Sequence, residues 1–307
     1  MAATKALCHL SLNNDDWQTS IASAGGIEAL VARVSDGSSI GNAAAVAMRF
    51  LAQKHDGRRA SIAAAGGIEA LVALVRGGSP GSKEMAARAL CSLSANHDER
   101  KAKIAAAGGL EALVAMVRDG SPEGQGVAAV ALYILANNHG GRSASIAAAG
   151  GIEALMALVS DGSPDSKAKA AGALRTLSRF HDGRNASIAS MGGIEALVAL
   201  VRDGSDKVAA AGALGNLARN HGGRSALIAA AGGIEAVAAL LRDGSPEGLA
   251  AAAKALGHVS RNDDDRKASI AAAGGLEALV ALVCDGSPEG QGAAAVAMCI
   301  LVTSHVG

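Results

Sequence analysis

The chain has 307 residues; half are hydrophobic, only four are aromatic (Trp17, Phe50, Tyr133 and Phe180), and 28 Lys+Arg balance 28 Asp+Glu. Zero net charge disfavours a general nucleic-acid role, because a surface that grips phosphates is basic, and so few aromatics leave no stacking platform for single strands. Four cysteines are too few and too scattered for a disulfide framework, the chain starts with neither a signal peptide nor an acylation motif, and no apolar run can span a bilayer, so a soluble cytoplasmic or nuclear protein is expected.

The chain opens with residues 1–12, which read as a bare helix anchored by Leu7 and Leu10. From there a Gly-Gly pair returns seven times: Gly25-Gly26, Gly66-Gly67, Gly108-Gly109, Gly150-Gly151, Gly192-Gly193, Gly232-Gly233 and Gly274-Gly275. The steps are 41, 42, 42, 42, 40 and 42 residues, a period that means stacked helical repeats. Such a chain has no single deep core and no natural active-site cleft; it offers a long surface instead. One elongated domain, 1–307, is therefore expected in place of two globular ones. The repeat boundaries read 13–54, 55–96, 97–138, 139–180, 181–220, 221–262 and 263–307, after the partial repeat 1–12.

One repeat shows the logic. A polar turn, Asn96 to Arg100, leads into a short helix from Lys101 to Ala107 anchored by Ile104. Gly108-Gly109 break it, since glycine accepts backbone angles that other residues avoid. A second helix from about Leu110 to Arg118 carries Leu110, Leu113, Val114 and Val117 on one face at steps of three and four. Gly120 ends it. Ser121-Pro122-Glu123 then starts a long third helix: serine caps exposed amides, proline fits the first turn, and glutamate suits the positive end. Leu132 and Leu135 are its inner residues, and Ala128, Ala129 and Ala131 permit close neighbours. Ile62, Ile104, Ile146, Ile188, Ile228 and Ile270 are expected to be buried beside Leu90, Leu132, Leu174, Leu214 and Leu256. The 40-residue step loses its two residues at Ser205-Asp206-Lys207, so a shortened third helix or a tighter turn is expected there.

The run from Ile146 to Val159, IAAAGGIEALMALV, and third helices such as Ala210 to Ala218, AAGALGNLA, resemble the armadillo repeat. The resemblance covers essentially the whole chain. It implies an all-α fold: a right-handed armadillo-type superhelical solenoid of about seven three-helix repeats, with an extra helix at the N-terminal end. It further implies that the third helices line a concave groove that binds extended segments of other proteins. Neither end of the sequence shows a polar capping repeat, which suggests a fragment of a longer array.

In members of the family that hold peptides, an asparagine of the third helix bonds the peptide backbone and a tryptophan stands four residues earlier. The first column here reads His9, Phe50, Ser92, Ile134, Thr176, Asn216, His258 and Ile300, so Asn216 alone matches; the second contains no tryptophan. Binding by other means is expected. Lys5, Arg49, Arg88, Arg175 and Lys254 should face the groove and favour an acidic extended segment. The candidate groove residues are Arg49, Phe50, Arg88, Tyr133, Arg175, Thr176, Asn216, Lys254 and His258, with apolar side-chain pockets around Phe50 and Tyr133.

Three further columns recur. His55, His97, His139, His181, His221 and His305 sit in the turns between repeats, and aspartate follows three of them (Asp56, Asp98 and Asp182). A helical-repeat iron or zinc enzyme built on these pairs is the rival reading. Helices stack about 8–10 Å apart while a metal needs its ligands within about 2.0–2.2 Å, so neighbouring turns cannot share one ion, and each offers a single histidine and carboxylate. Arg58, Arg100, Arg142, Arg184, Arg224 and Arg266 form a second column, expected to bridge to glutamates or carbonyls of a neighbouring repeat. Glu28, Glu69, Glu111, Glu153, Glu195, Glu235 and Glu277 form a third, at the positive ends of second helices. Residues present in every repeat serve the stack; specificity lives where repeats differ. Cys8, Cys91 and Cys299 share one third-helix position. No phosphate-cradling glycine pattern or nucleophile elbow is present. The reading is thus a non-catalytic protein-interaction scaffold with protein partners, no cofactor, no metal and no small-molecule substrate. A third possibility is the docking region of a larger enzyme or ligase.

Overall fold

The computed structural model describes residues 15–34, 39–53, 55–179, 181–203 and 206–303. The expected N-terminal helix 1–12, with Lys5, Cys8 and His9, lies outside the described residues, as do Phe180, Ser205, His305 and the side chain of Trp17. Among the described residues there are twenty-one helices and no strand. The chain divides into two compact units between Ala154 and Leu155.

The first unit contains α1 (Asp15–Ser23), α2 (Gly26–Val34), α3 (Ser39–Leu51), α4 (Asp56–Ala64), α5 (Gly67–Gly77), α6 (Pro80–Ser94), α7 (Asp98–Ala106), α8 (Gly109–Asp119), α9 (Pro122–Ala136) and α10 (Gly140–Ala148). Helix α11 (Gly151–Asp161) carries the division. The second unit continues with α12 (Pro164–Leu177), α13 (Asp182–Ser190), α14 (Gly193–Asp203), α15 (Lys207–Ala218), α16 (Gly222–Ala230), α17 (Gly233–Asp243), α18 (Pro246–Val259), α19 (Asp264–Ala272), α20 (Gly275–Asp285) and α21 (Pro288–Val302). From α4 onward the order is short, medium, long; in the first repeat α1 and α2 are both nine residues. Third helices pack on one another, α3 on α6 and α6 on α9 in the first unit, α12 on α15, α15 on α18 and α18 on α21 in the second. Second helices do the same: α2, α5 and α8 in one unit, α14, α17 and α20 in the other.

The glycine pair divides its labour. Gly192 has φ +73°, the left-handed region that side chains with a Cβ avoid. Gly193 has an ordinary φ, but a Cβ on it would fall 2.5 Å from both the Ile188 side chain and the Ile188 carbonyl oxygen. One glycine turns the chain and the other lets the second helix lie against the first. The bend is 73° between α4 and α5 and 77° between α16 and α17. At the next corner the side chain of Ser121 accepts from the Gly124 amide at 3.2 Å, with Pro122 in the first turn; Ser79, Ser163, Ser245 and Ser287 cap in the same way. Where the 40-residue step falls, Asp206 caps in place of serine, and α15 is cut to 12 residues against 14 in α12 and α18.

The core follows the sequence columns. All eleven isoleucines and leucines expected inside, from Ile62 to Ile270 and from Leu90 to Leu256, are buried, and Ala128, Ala129 and Ala131 are closed over as well. The first helices differ from expectation at their start. Helix α7 begins at Asp98, three residues before Lys101, because the His97 side chain caps it: Nδ1 accepts from the Arg100 amide at 3.4 Å. Asn96, Asn138, Asn220 and Asn262, at the preceding corners, have φ of 55–60°. Asparagine tolerates that conformation better than other residues with a Cβ.

Candidate functional site

The recurrent columns serve the stack. His55, His97, His139, His181 and His221 each accept a hydrogen bond at Nδ1 from the amide three residues on, and Asp263 takes that place before α19. The arginine column is buried beneath these caps, with Arg58, Arg100, Arg142, Arg184 and Arg224 between 4% and 7% exposed. Each Nε donates to a carbonyl seven residues back, at the end of the previous third helix: Leu93 for Arg100, Leu135 for Arg142, Leu177 for Arg184 and Leu217 for Arg224, at 2.6–2.7 Å. Helix ends leave such carbonyls without a partner, so the arginine satisfies them. The aspartates after three histidines supply the counter-charge. Asp56 accepts from Arg100 and Asp98 from Arg142, both at 2.5 Å, and Asp182 from Arg224. These bonds hold all three carboxyls below the usual range. The His-Asp pairs thus fasten one repeat to the next. Among the described residues no three His, Cys, Asp or Glu side chains come together as a metal site.

Variable residues make up the exposed face of the third helices. In the first unit Arg49 and Phe50 are half-buried on α3, with the guanidinium 5.4 Å from the ring centroid. Tyr133 on α9 is 41% exposed, an aromatic surface open to a partner. Arg88 departs from expectation. Its Nε and Nη2 bond Glu84 at 2.9 and 2.8 Å, one turn earlier on α6, so its charge is already matched. Cys91, beside them, has its thiol pushed up to about 12 by desolvation and is no nucleophile at neutral pH.

In the second unit Arg175 lies across α15. A Cβ on Gly212 would fall 2.7 Å from Arg175 Cδ and 2.8 Å from Nε, so the missing side chain makes the bed for the arginine. Arg175 is exposed, and no carboxylate bonds it among the described residues. The Thr176 hydroxyl donates to the Gly172 carbonyl at 3.2 Å. Asn216 Nδ2 donates to the Arg175 carbonyl at 2.9 Å and to Ser178 Oγ at 3.1 Å. Its donors therefore tie α15 to α12. Lys254 is also paired, 2.8 Å from Glu289 on α21. Lys254, and Arg175 at longer range, hold the Glu289 carboxyl down. Two of the cations expected to face a partner, Arg88 and Lys254, are thus matched within the chain. The reason is the same in both cases: a glutamate stands one turn away or across one helix contact.

His258 on α18 is half-buried, and its Nδ1 is enclosed with no partner among the described residues. Burial, then Arg219 and Arg261, push its pKa down to about 4. Arg179, Arg219 and Arg261 form a column just past α12, α15 and α18, legible in the charge pattern but absent from the expected groove residues.

Among the described residues no single helix is long and apolar enough to cross a membrane; four helix pairs joined at the Gly-Gly bend reach that length and apolarity only together.

Comparison with known proteins places this architecture. No protein-family model matches the chain, and no curated protein does. Solved structures do. An engineered protein from a structural-genomics consortium is 31% identical with a TM-score of 0.89, over 99% of this chain and 74% of its own. A designed armadillo repeat protein in complex with the peptide (KR)4 is 24% identical with a TM-score of 0.67, over 76% of this chain and 99% of its own. A computationally designed armadillo repeat protein for modular peptide recognition is 23% identical with a TM-score of 0.67 over the same shares. The chain has the all-α armadillo-type repeat fold.

Proposed function

We propose that the chain is a non-catalytic protein-interaction scaffold, and that the third-helix face of the second unit takes an extended, acidic segment of a partner protein. One observation carries this reading: Arg175 is laid across Gly212, exposed and without a bonded carboxylate among the described residues, and Asn216 Nδ2 holds its backbone carbonyl. A cation held flat on a helix by a missing side chain is pre-organised for a carboxylate, because little rotamer entropy is lost on contact. Of the similar designed proteins, one is in complex with the basic peptide (KR)4 and another was designed for modular peptide recognition; on this chain the unmatched Arg175 charge has the same sign as that peptide, so an acidic ligand is preferred. In the first unit Arg49, Phe50 and Tyr133 give a second, more apolar face.

The test is a peptide array of acidic, neutral and basic extended peptides, read against the parent and the Arg175→Glu and Asn216→Ala variants. Acidic peptides are expected to bind the parent, to lose about tenfold or more with Arg175→Glu, and to lose less with Asn216→Ala. Equal binding of acidic and basic peptides, or no loss with Arg175→Glu, removes this reading.

A further inference from the structure

A cavity of about 300 Å³ opens inside the second unit, where the C-terminal ends of α15 and α18 meet the turn into α16. Its walls include Asn220, His221, Ser225, His258 and Arg261, and none of its lining residues is acidic. We infer that it is an oxyanion-binding site, shaped for a phosphate or carboxylate group that bridges the Arg261 guanidinium and the imidazole of His258.

The cavity exists because one repeat lacks what its neighbour has. At the junction of α12 and α15, Ser178 Oγ receives the Asn216 amide, and Asn185 Nδ2 donates to the Asn216 carbonyl at 3.3 Å. One repeat later these positions are Ala218, Ser225 and His258. Ala218 has no hydroxyl, and the Ser225 hydroxyl turns back to the Ala218 carbonyl at 3.3 Å. His258 Nδ1 is therefore left enclosed and without a partner among the described residues. With Nδ1 closed off, the imidazole can meet a bound anion only through Nε2.

The charges round the cavity are unbalanced in one direction. Arg261 donates to Asn220 Oδ1 at 3.3 Å and meets no carboxylate among the described residues. The carboxylate next along the chain, Asp263, is taken: it caps α19 through the Arg266 amide and pairs with Arg266 at 2.7 Å. Asp264 pairs with Lys267 at 3.0 Å. His221 caps α16 through Nδ1, which accepts from the Arg224 amide, so in its neutral form the proton sits on Nε2 and makes that atom a donor. Donors with no acceptor to match describe an anion site. Burial lowers the His258 pKa first, and the cations Arg219 and Arg261 add to that shift.

The experiment follows the His258 imidazole by NMR while sodium phosphate or sodium acetate is added to the full chain at constant ionic strength, with chloride as reference. A saturable shift is expected with at least one oxyanion, together with a rise of about one unit or more in the His258 pKa, because a bound anion favours imidazolium. Arg261→Gln, an exposed substitution, should weaken that binding about tenfold. Saturation by phosphate alone assigns a phosphate ligand, and saturation by acetate assigns a carboxylate. A response no different from chloride, or one unchanged by Arg261→Gln, overturns the inference. The probes are single ions, so the outcome does not depend on whether the third-helix face binds peptides.

Discussion

Three glycines of the second unit separate the physical roles that this sequence assigns to its forty glycines, and a single set of variants measures them. Gly192 has φ +73° and no atom within 4 Å of where a Cβ would stand. Gly192→Ala therefore carries only the left-handed backbone penalty, about 1–2 kcal/mol. At Gly193 the balance is reversed. An added Cβ would lie 2.5 Å from the Ile188 carbonyl oxygen and from Ile188 Cγ2. The side chain can yield, but the oxygen belongs to the last turn of α13 and moves only if that turn opens. Gly193→Ala should thus fall at or above the top of the overpacking range, about 3 kcal/mol, and exceed Gly192→Ala. Gly172 sits within α12 with nothing within 4 Å of a Cβ and no positive φ. Gly172→Ala should stabilise by about 0.4–1 kcal/mol through the unfolded chain. Urea denaturation followed by helical circular dichroism gives the three midpoints. Amide exchange in α13 and α14 reads the local effect should the repeats melt separately. The reasoning is refuted if Gly193→Ala is no worse than Gly192→Ala, or if Gly172→Ala destabilises.

Arg100→Ala should destabilise the first unit by about 2–4 kcal/mol, since it strips a buried donor from the Leu93 carbonyl and from Asp56; Asp56→Ala, at an exposed carboxylate, should do visibly less, and equal losses in thermal melts would contradict the assignment of Arg100 as the hub. His97→Ala should cost about 1 kcal/mol as a lost cap, while His97→Asp should recover the parent midpoint, because Asp263 already serves that role before α19. His258 titrates near 4 in the folded chain against an ordinary 6.5, so the unfolded chain takes the proton first. Its contribution is whole above pH 6.5 and falls away as the pH drops towards 4, by about 1–2 kcal/mol after allowance for the exposed part of the ring. His258→Gln should flatten that slope in urea titrations across the window. Asp56, Asp98 and Asp182 act in the same direction but only below their ordinary 3.8, so a slope confined to that lower range would exclude His258 as its source.

In a repeat protein each sequence column samples one environment many times, and that is why so much of this fold could be read in advance. Isoleucine recurs at Ile62, Ile104 and Ile146 because the same cavity recurs, and Ser-Pro recurs because the same corner does. Local rules sufficed for the caps, the Gly-Gly bend and the short α15. They also sufficed for one contact that was overlooked: Glu84 stands four residues before Arg88, the spacing at which helical side chains meet. The histidine caps were legible too, since Asp263 holds their position in the last repeat and aspartate is an ordinary capping residue. Contacts between repeats were not. Asp56 to Arg100, Lys254 to Glu289 and Asn216 to Ser178 each need the offset between adjacent helices, which the period leaves undetermined by about a turn. On the face expected to be mildly basic, Arg88 and Lys254 are paired with glutamates while Arg175 stays exposed over Gly212, and a separate cation-rich cavity lies beyond the ends of α15 and α18. The exposed arginine rests on Gly212, which the preceding repeat shares as Gly172, and the cavity arises at Ala218, where the repeats on either side have Ser178 and Ser260. In an array held together by shared columns, such small residues set what a partner can reach, because a lost side chain opens space without disturbing the stack.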